Sequence, residues 1–161
     1  MLVAYCRRWN FRRARAMDVL TADQARELDA AGQWYTVVLG EETAPGAILE
    51  VARGNRHITT NFLDEQGRQA LAYDFRAVDD ERMFMGVVTR WGFGTADARS
   101  ISEADMVDVL AYRADGVVRR TVRDGREQQR RVTDFHDVRV DLNWEPVPAF
   151  GDWTSIARRD R

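Results

Sequence analysis

His136 lies in Thr133-Asp134-Phe135-His136-Asp137, between two carboxylates. An imidazole beside carboxylates is common equipment for proton transfer near neutral pH. In an extended chain, however, neighbouring side chains point to opposite faces, so His136 and Asp137 do not turn toward one substrate together. The other histidine, His57, has no acid next to it in Gly54-Asn55-Arg56-His57-Ile58. Cys6 is the single cysteine, which leaves no internal disulfide and no cysteine-built metal site. Phosphate loop, metal-ligand spacing, nucleophile elbow and dinucleotide fingerprint are all absent. The expectation is no catalytic residue, no metal and no cofactor.

The arginines are the next chemical signal. Tyr112–Val132 holds seven arginines in 21 residues and no lysine. All 24 basic residues of the chain are arginine, the codon usage of a GC-rich genome, which points to a bacterial source and weakens any argument that arginine is chosen position by position. Asp115-Gly116 and Asp124-Gly125 predict two-residue hairpin turns. That register sets Tyr112 opposite Arg119 and Asp108 opposite Arg123 on a solvated outer face. It leaves Arg120 between Val118 and Val122 on the inner face, with Val109. An inward guanidinium requires a partner or a wet cavity, so Arg120 is the candidate polar anchor for a ligand.

The elements that position these residues are mostly strands. Leu20-Thr21-Ala22-Asp23-Gln24 carries the capping-box spacing, and Gly32 supplies a left-handed stop, so a helix is predicted over Thr21–Ala31. After Gly32 the apolar period becomes two. Strands are predicted near Trp34–Leu39, Ala47–Arg53, Arg56–Leu63, Gln69–Ala77, Met83–Trp91, Met106–Arg113, Val117–Arg123, Glu127–Asp134 and Val138–Asn143. About eight or nine strands joined by short turns describe a mainly β domain, an antiparallel up-and-down barrel with an N-terminal helix. The segment 92–105 is expected as a flap, and 143–161 as a strap against the barrel.

Charge divides the chain. Residues 1–16 hold five arginines and no acid, and the remaining 145 hold 19 arginines and 26 acids, a net of −7. The basic segment, with Trp9 and Phe11, admits contact with nucleic acid or an anionic membrane, a transit peptide, or a disordered start. It is read as a disordered extension at 1–16 ahead of a barrel domain at 17–161. The acidic remainder argues against nucleic acid. No apolar run nears the roughly 20 residues that cross a bilayer, and a cytoplasmic location is expected.

Gly32 and Trp34, just after the helix, resemble the Gly-x-Trp motif that opens the first lipocalin strand. Thr133-Asp134-Phe135 resembles the later Thr-Asp-Tyr motif of that family, with Phe135 in place of Tyr. The resemblance to the lipocalin or calycin families implies a barrel able to enclose a ligand, with Trp34 closing its base.

The reading is therefore a non-enzymatic binder of an apolar or anionic small molecule. Tyr73, Phe75, Met85 and Trp91, with Leu71 and Val109, would line the barrel around Arg120. The alternative is a protein-binding module such as a bacterial immunity protein or antitoxin. A third reading is a barrel enzyme of cyclase or isomerase type acting through Tyr73, Glu127 or Arg120.

Overall fold

In the computed structural model, which describes residues 2–161, the capping box forms as its spacing predicts. Thr21 Oγ1 accepts from the Gln24 backbone N–H at 3.2 Å, and Gln24 Oε1 accepts from the Thr21 N–H at 2.9 Å. Two of the orphan donors at the start of helix α1 (Ala22–Ala30) are thereby satisfied. The chain leaves the helix through Gly32 at φ 67°, a conformation that glycine adopts without strain.

The rest is strand. In chain order these are β1 (Val3–Asn10), β2 (Arg15–Leu20), β3 (Tyr35–Glu41), β4 (Ala44–Ala52), β5 (His57–Leu63) and β6 (Gln69–Ala77). They continue as β7 (Arg82–Gly92), β8 (Met106–Tyr112), β9 (Val118–Asp124), β10 (Gln129–Phe135) and the short β11 (Trp144–Pro146). All pair antiparallel in one sheet of order β2-β1-β3-β4-β5-β6-β7-β8-β9-β10, with β11 on the first residues of β7. Strands β2 and β10 end the sheet and do not pair with each other. The sheet is mainly β and antiparallel as expected, but it is open, and a closed barrel is not formed among the described residues.

The segment 1–16 is not a disordered extension. β1 lies between β2 and β3, paired on both sides, and Cys6 and Trp9 are buried. Its signal was obscure because Tyr5 and Cys6, adjacent in sequence, are both buried, so no clean alternation shows. The strand expected at Val138–Asn143 is a loop that ends in a 3-10 turn at Asp141–Asn143.

Helix α1 and the C-terminal segment cover one face of the sheet, here called inner. Tyr5, Tyr35, Val37, Leu49, Ile58, Phe75 and Met83 on this face meet Ala25 of α1 and Trp153 and Ile156 of the tail in one buried cluster. The expected strap is thus part of the core. Polar contacts fix the layers: Asp29 of α1 accepts from Tyr35 Oη at 2.7 Å and Arg53 Nε at 2.8 Å, and Arg53 also donates to the Pro148 carbonyl at 2.7 Å. Burial and, next, the Asp29 hydrogen bond push the Tyr35 phenol well above its ordinary pKa. On the outer face Cys6, Trp9, Val38, Ile48 and Leu63 make a second, smaller cluster.

The core ends before the sheet does. One transverse row of paired residues runs Tyr5–Val37–Leu49–Thr60–Tyr73–Val88–Leu110–Arg120–Thr133. Tyr73 and Val88 are buried, Leu110 is half-buried, and Arg120 and Thr133 are exposed. Strands β9 and β10 therefore extend as a wing past the last covering layer.

Candidate functional site

The structure brings most of the residues expected to line a ligand cavity together, but packs them against one another. Tyr73, Phe75 and Met85 are at 3%, 0% and 4% exposure. They are packed core: the Tyr73 ring meets Phe62 and Phe75 edge-on at 5.2 and 6.5 Å. Leu71 joins the same cluster at its margin. Trp91 pairs with Val107 and stands with Thr89 and Val109 on the outer face, away from the other candidates. A space of about 160 Å³ remains beside Tyr73 and Met85, lined also by Arg161 and Asn143. That falls below the roughly 300 Å³ at which pockets hold a drug-sized ligand.

Arg120 does share the inner side with Val118 and Val122, but in a different setting. The Asp115-Gly116 turn is not a two-residue loop. Arg113 N–H donates to the Val117 carbonyl, and Gly116, the last residue of the three-residue loop between them, sits at φ 84°, the form in which a type I turn is followed by a left-handed glycine. One extra residue flips β8 relative to β9. Asp108, Leu110 and Tyr112 then join Arg120 on the inner face, opposite Val122, Arg120 and Val118, and Val109 turns outward. The Tyr112–Arg119 and Asp108–Arg123 pairs expected from the shorter turn do not form. Instead Arg120 donates to Asp108 through Nε at 2.9 Å and Nη2 at 2.7 Å, while 47% of its side chain stays exposed. The second Asp-Gly pair opens a four-residue loop, so Arg123 faces Arg130.

A groove of about 400 Å³ runs over this part of the wing, lined by Met106, Asp108, Arg120, Val122, Arg131, Thr133 and Phe135. Every lining residue belongs to one face of β8, β9 or β10, so the groove has no opposite wall. Two of the five N–H donors of Arg120 bind Asp108, so its charge is already paired within the chain.

His57 pairs with a carboxylate distant in sequence rather than with a neighbour. His57 Nε2 lies 3.2 Å from Asp74 Oδ1, which also accepts from Thr59 Oγ1 at 2.6 Å. Next to them Asn61 Nδ2 donates to Glu50 Oε2 at 3.3 Å and Gln69 Nε2 to Asn61 Oδ1 at 2.6 Å. Burial raises the Glu50 carboxyl above its ordinary pKa. The bonds from His57 and Thr59 outweigh burial at Asp74 and lower it. This polar band runs across three strands, β4, β5 and β6, and sequence reasoning missed it because its bonded partners stand eight or more residues apart. Among the described residues no group of three histidine, cysteine or acidic side chains is placed to hold a metal ion.

The most unusual chemistry lies at the other end of the sheet. Arg7 and Arg8 of β1, Arg12 and Arg13 in the connecting turn and Arg15 of β2 are all exposed. Among the described residues none has a carboxylate within ion-pair distance. Twelve arginines, all beyond residue 25, do. Glu103 feels the charge of Arg12, although the Arg99 and Ser100 backbone N–H groups do more to hold it below its ordinary pKa.

Two large apolar side chains accompany these arginines. Val19 pairs across β1 with Cys6, which pairs in turn with Thr36. Trp34 stands two residues before Thr36, so both lie on the outer side of this edge. Val19 is 74% exposed and Trp34 54%. Trp34 is therefore not the core residue that the Gly-x-Trp resemblance implies; Tyr35, its neighbour, is buried in its place. Comparison with known proteins finds no matching family model, no similar curated protein and no similar solved structure.

Proposed function

We propose that this chain is a non-catalytic protein-binding module that offers the β1–β2 hairpin to an acidic surface of a partner protein. One observation carries the reading: among the described residues, five exposed arginines without a paired carboxylate share the β1–β2 hairpin at one end of the sheet, in a chain that holds 26 acids. Arginine and tryptophan are the residues that most often dominate interface energetics, and Trp34 stands beside the hairpin. The remaining 145 residues carry −7. That separation of charge orients an approaching acidic surface toward the hairpin and speeds encounter.

A protein partner is favoured over nucleic acid for a geometric reason. The arginines occupy both faces and the turn of one short hairpin, and the acidic body repels a long phosphate track on either side. The packed inner face and the committed Arg120 favour this reading over a small-molecule binder.

The test uses two probes of matched charge, poly-L-glutamate and a random duplex DNA, titrated at low salt against the chain and against a variant with Arg7, Arg8, Arg12, Arg13 and Arg15 changed to serine. The expected result is poly-L-glutamate binding that weakens at least tenfold in the variant, with weaker binding of DNA. Tighter binding of DNA would move the site to the nucleic-acid class, and equal binding by the variant would refute the hairpin as the site.

A further inference from the structure

Among the described residues β10 ends the sheet uncovered. All seven residues of β10 are exposed, although the strand pairs with β9 along its whole length. Its free edge presents a row of unpaired backbone donors and acceptors, a ready template for another strand. The opposite edge is blunted: β2 carries Asp18 at φ 54°, a break that spoils a regular ladder. Within β10 no residue has positive φ; Gln128 and Asp137, just outside it, do.

We propose that β10 pairs with β10 of a second copy of this chain, antiparallel and centred on Val132. A two-fold axis normal to the sheet joins outer face to outer face, so only same-face residues come opposite one another. Arg130, Val132 and Asp134 lie on the outer face, and Gln129, Arg131, Thr133 and Phe135 on the inner. Centres at Arg130, Arg131 or Asp134 would set like charges against each other, which destabilises a pair. A centre at Thr133 sets Val132 against Asp134. The Val132 centre sets Arg130 opposite Asp134 of the second copy, twice, with valine against valine between them.

Within β10 only the Val132 centre sets opposite charges against each other. Among the described residues Arg130 has no carboxylate within ion-pair distance, and it faces Arg123 within the chain. Asp134 already accepts from Arg119 at 2.8 and 2.9 Å. A carboxylate shared by two arginines has a precedent in this molecule, where Arg158 and Arg161 both bind Glu145.

Two seven-residue edges bury less than the roughly 1,200 Å² of a standard stable interface, so the association is weak and the test spans concentration. Sedimentation velocity of the full chain, up to about 1 mM, should show the mass rising from one chain to two. Arg130→Asp and Asp134→Arg should each weaken dimerisation at least tenfold, and the double variant should restore it. The proposal is overturned by a chain that stays monomeric throughout, by single variants that dimerise as well as the parent, or by a double variant that stays as weak as the singles. The acidic-partner reading stands or falls separately, since it concerns the opposite edge.

Discussion

Replacing Trp9 by alanine tests whether the basic hairpin is docked on the body. Trp9 is 3% exposed and packs with Cys6, Val38, Ile48 and Leu63. Truncating a buried tryptophan to alanine costs about 3–5 kcal/mol. Against this, the Trp9 indole N–H is buried without a partner, and removing an unsatisfied donor returns part of a penalty of about 1–3 kcal/mol. The net loss is then about 2–3 kcal/mol, a large share of the roughly 5–15 kcal/mol that holds a domain together. For a chain of this size it corresponds to a fall of about 4–12 °C in Tm. Urea unfolding followed by far-UV circular dichroism measures it without relying on the tryptophan being removed. A loss under about 0.5 kcal/mol, the range of ordinary surface substitutions, would show that β1 does not pack as described and that the hairpin's arginines have no fixed geometry.

Trp34→Ala, at a half-exposed site, should cost under about 1 kcal/mol in the same assay, and a loss of 3 kcal/mol or more would restore it to the core. Glu145→Gln should destabilise by about 3–5 kcal/mol, because Arg161, with 2% of its side chain exposed, would be left buried without an anion; an unchanged midpoint would refute that pairing. The Glu50 carboxyl is raised by burial, so the folded state binds its proton more tightly than the unfolded chain does. Its contribution is then greatest at low pH and is lost as pH rises from the unfolded carboxylate value of about 4.3 through the raised one. Glu50→Gln keeps the acceptor for Asn61 and should stabilise the chain at pH 7 while flattening that decline; a less stable variant at pH 7 contradicts it. Asp74 is lowered, so its contribution is present at neutral pH and lost as pH falls through its folded value.

Local signals were the legible part of the fold. The capping box at Thr21 and Gln24, the glycine stop at Gly32 and the period-two runs from β3 to β10 all declare themselves within a few residues. What failed depended on loop length or on pairing at a distance. One extra residue in the Asp115-Gly116 turn reversed the partners of Arg120 and turned Val109 outward, because a strand has a period of two. β1 was hidden because burial on both faces erases the alternation that marks a strand, and its arginines then read as a disordered tail. The choice between Trp34 and Tyr35 for the core depends on which face the tail and helix cover, which no short stretch of sequence states. The site followed the same rule: the five arginines were visible as composition, but only the pairing of β1 with β2 and β3 gathers them at one end of the sheet.

Hydrogen exchange of the chain with and without saturating poly-L-glutamate tests the central claim most directly, because it locates the bound surface segment by segment. The account predicts new protection confined to Val3–Leu20 and the residues around Trp34, with β8, β9 and β10 unchanged. Protection centred on the β9–β10 arginines, or none at all under conditions where the polymer is bound, would contradict it.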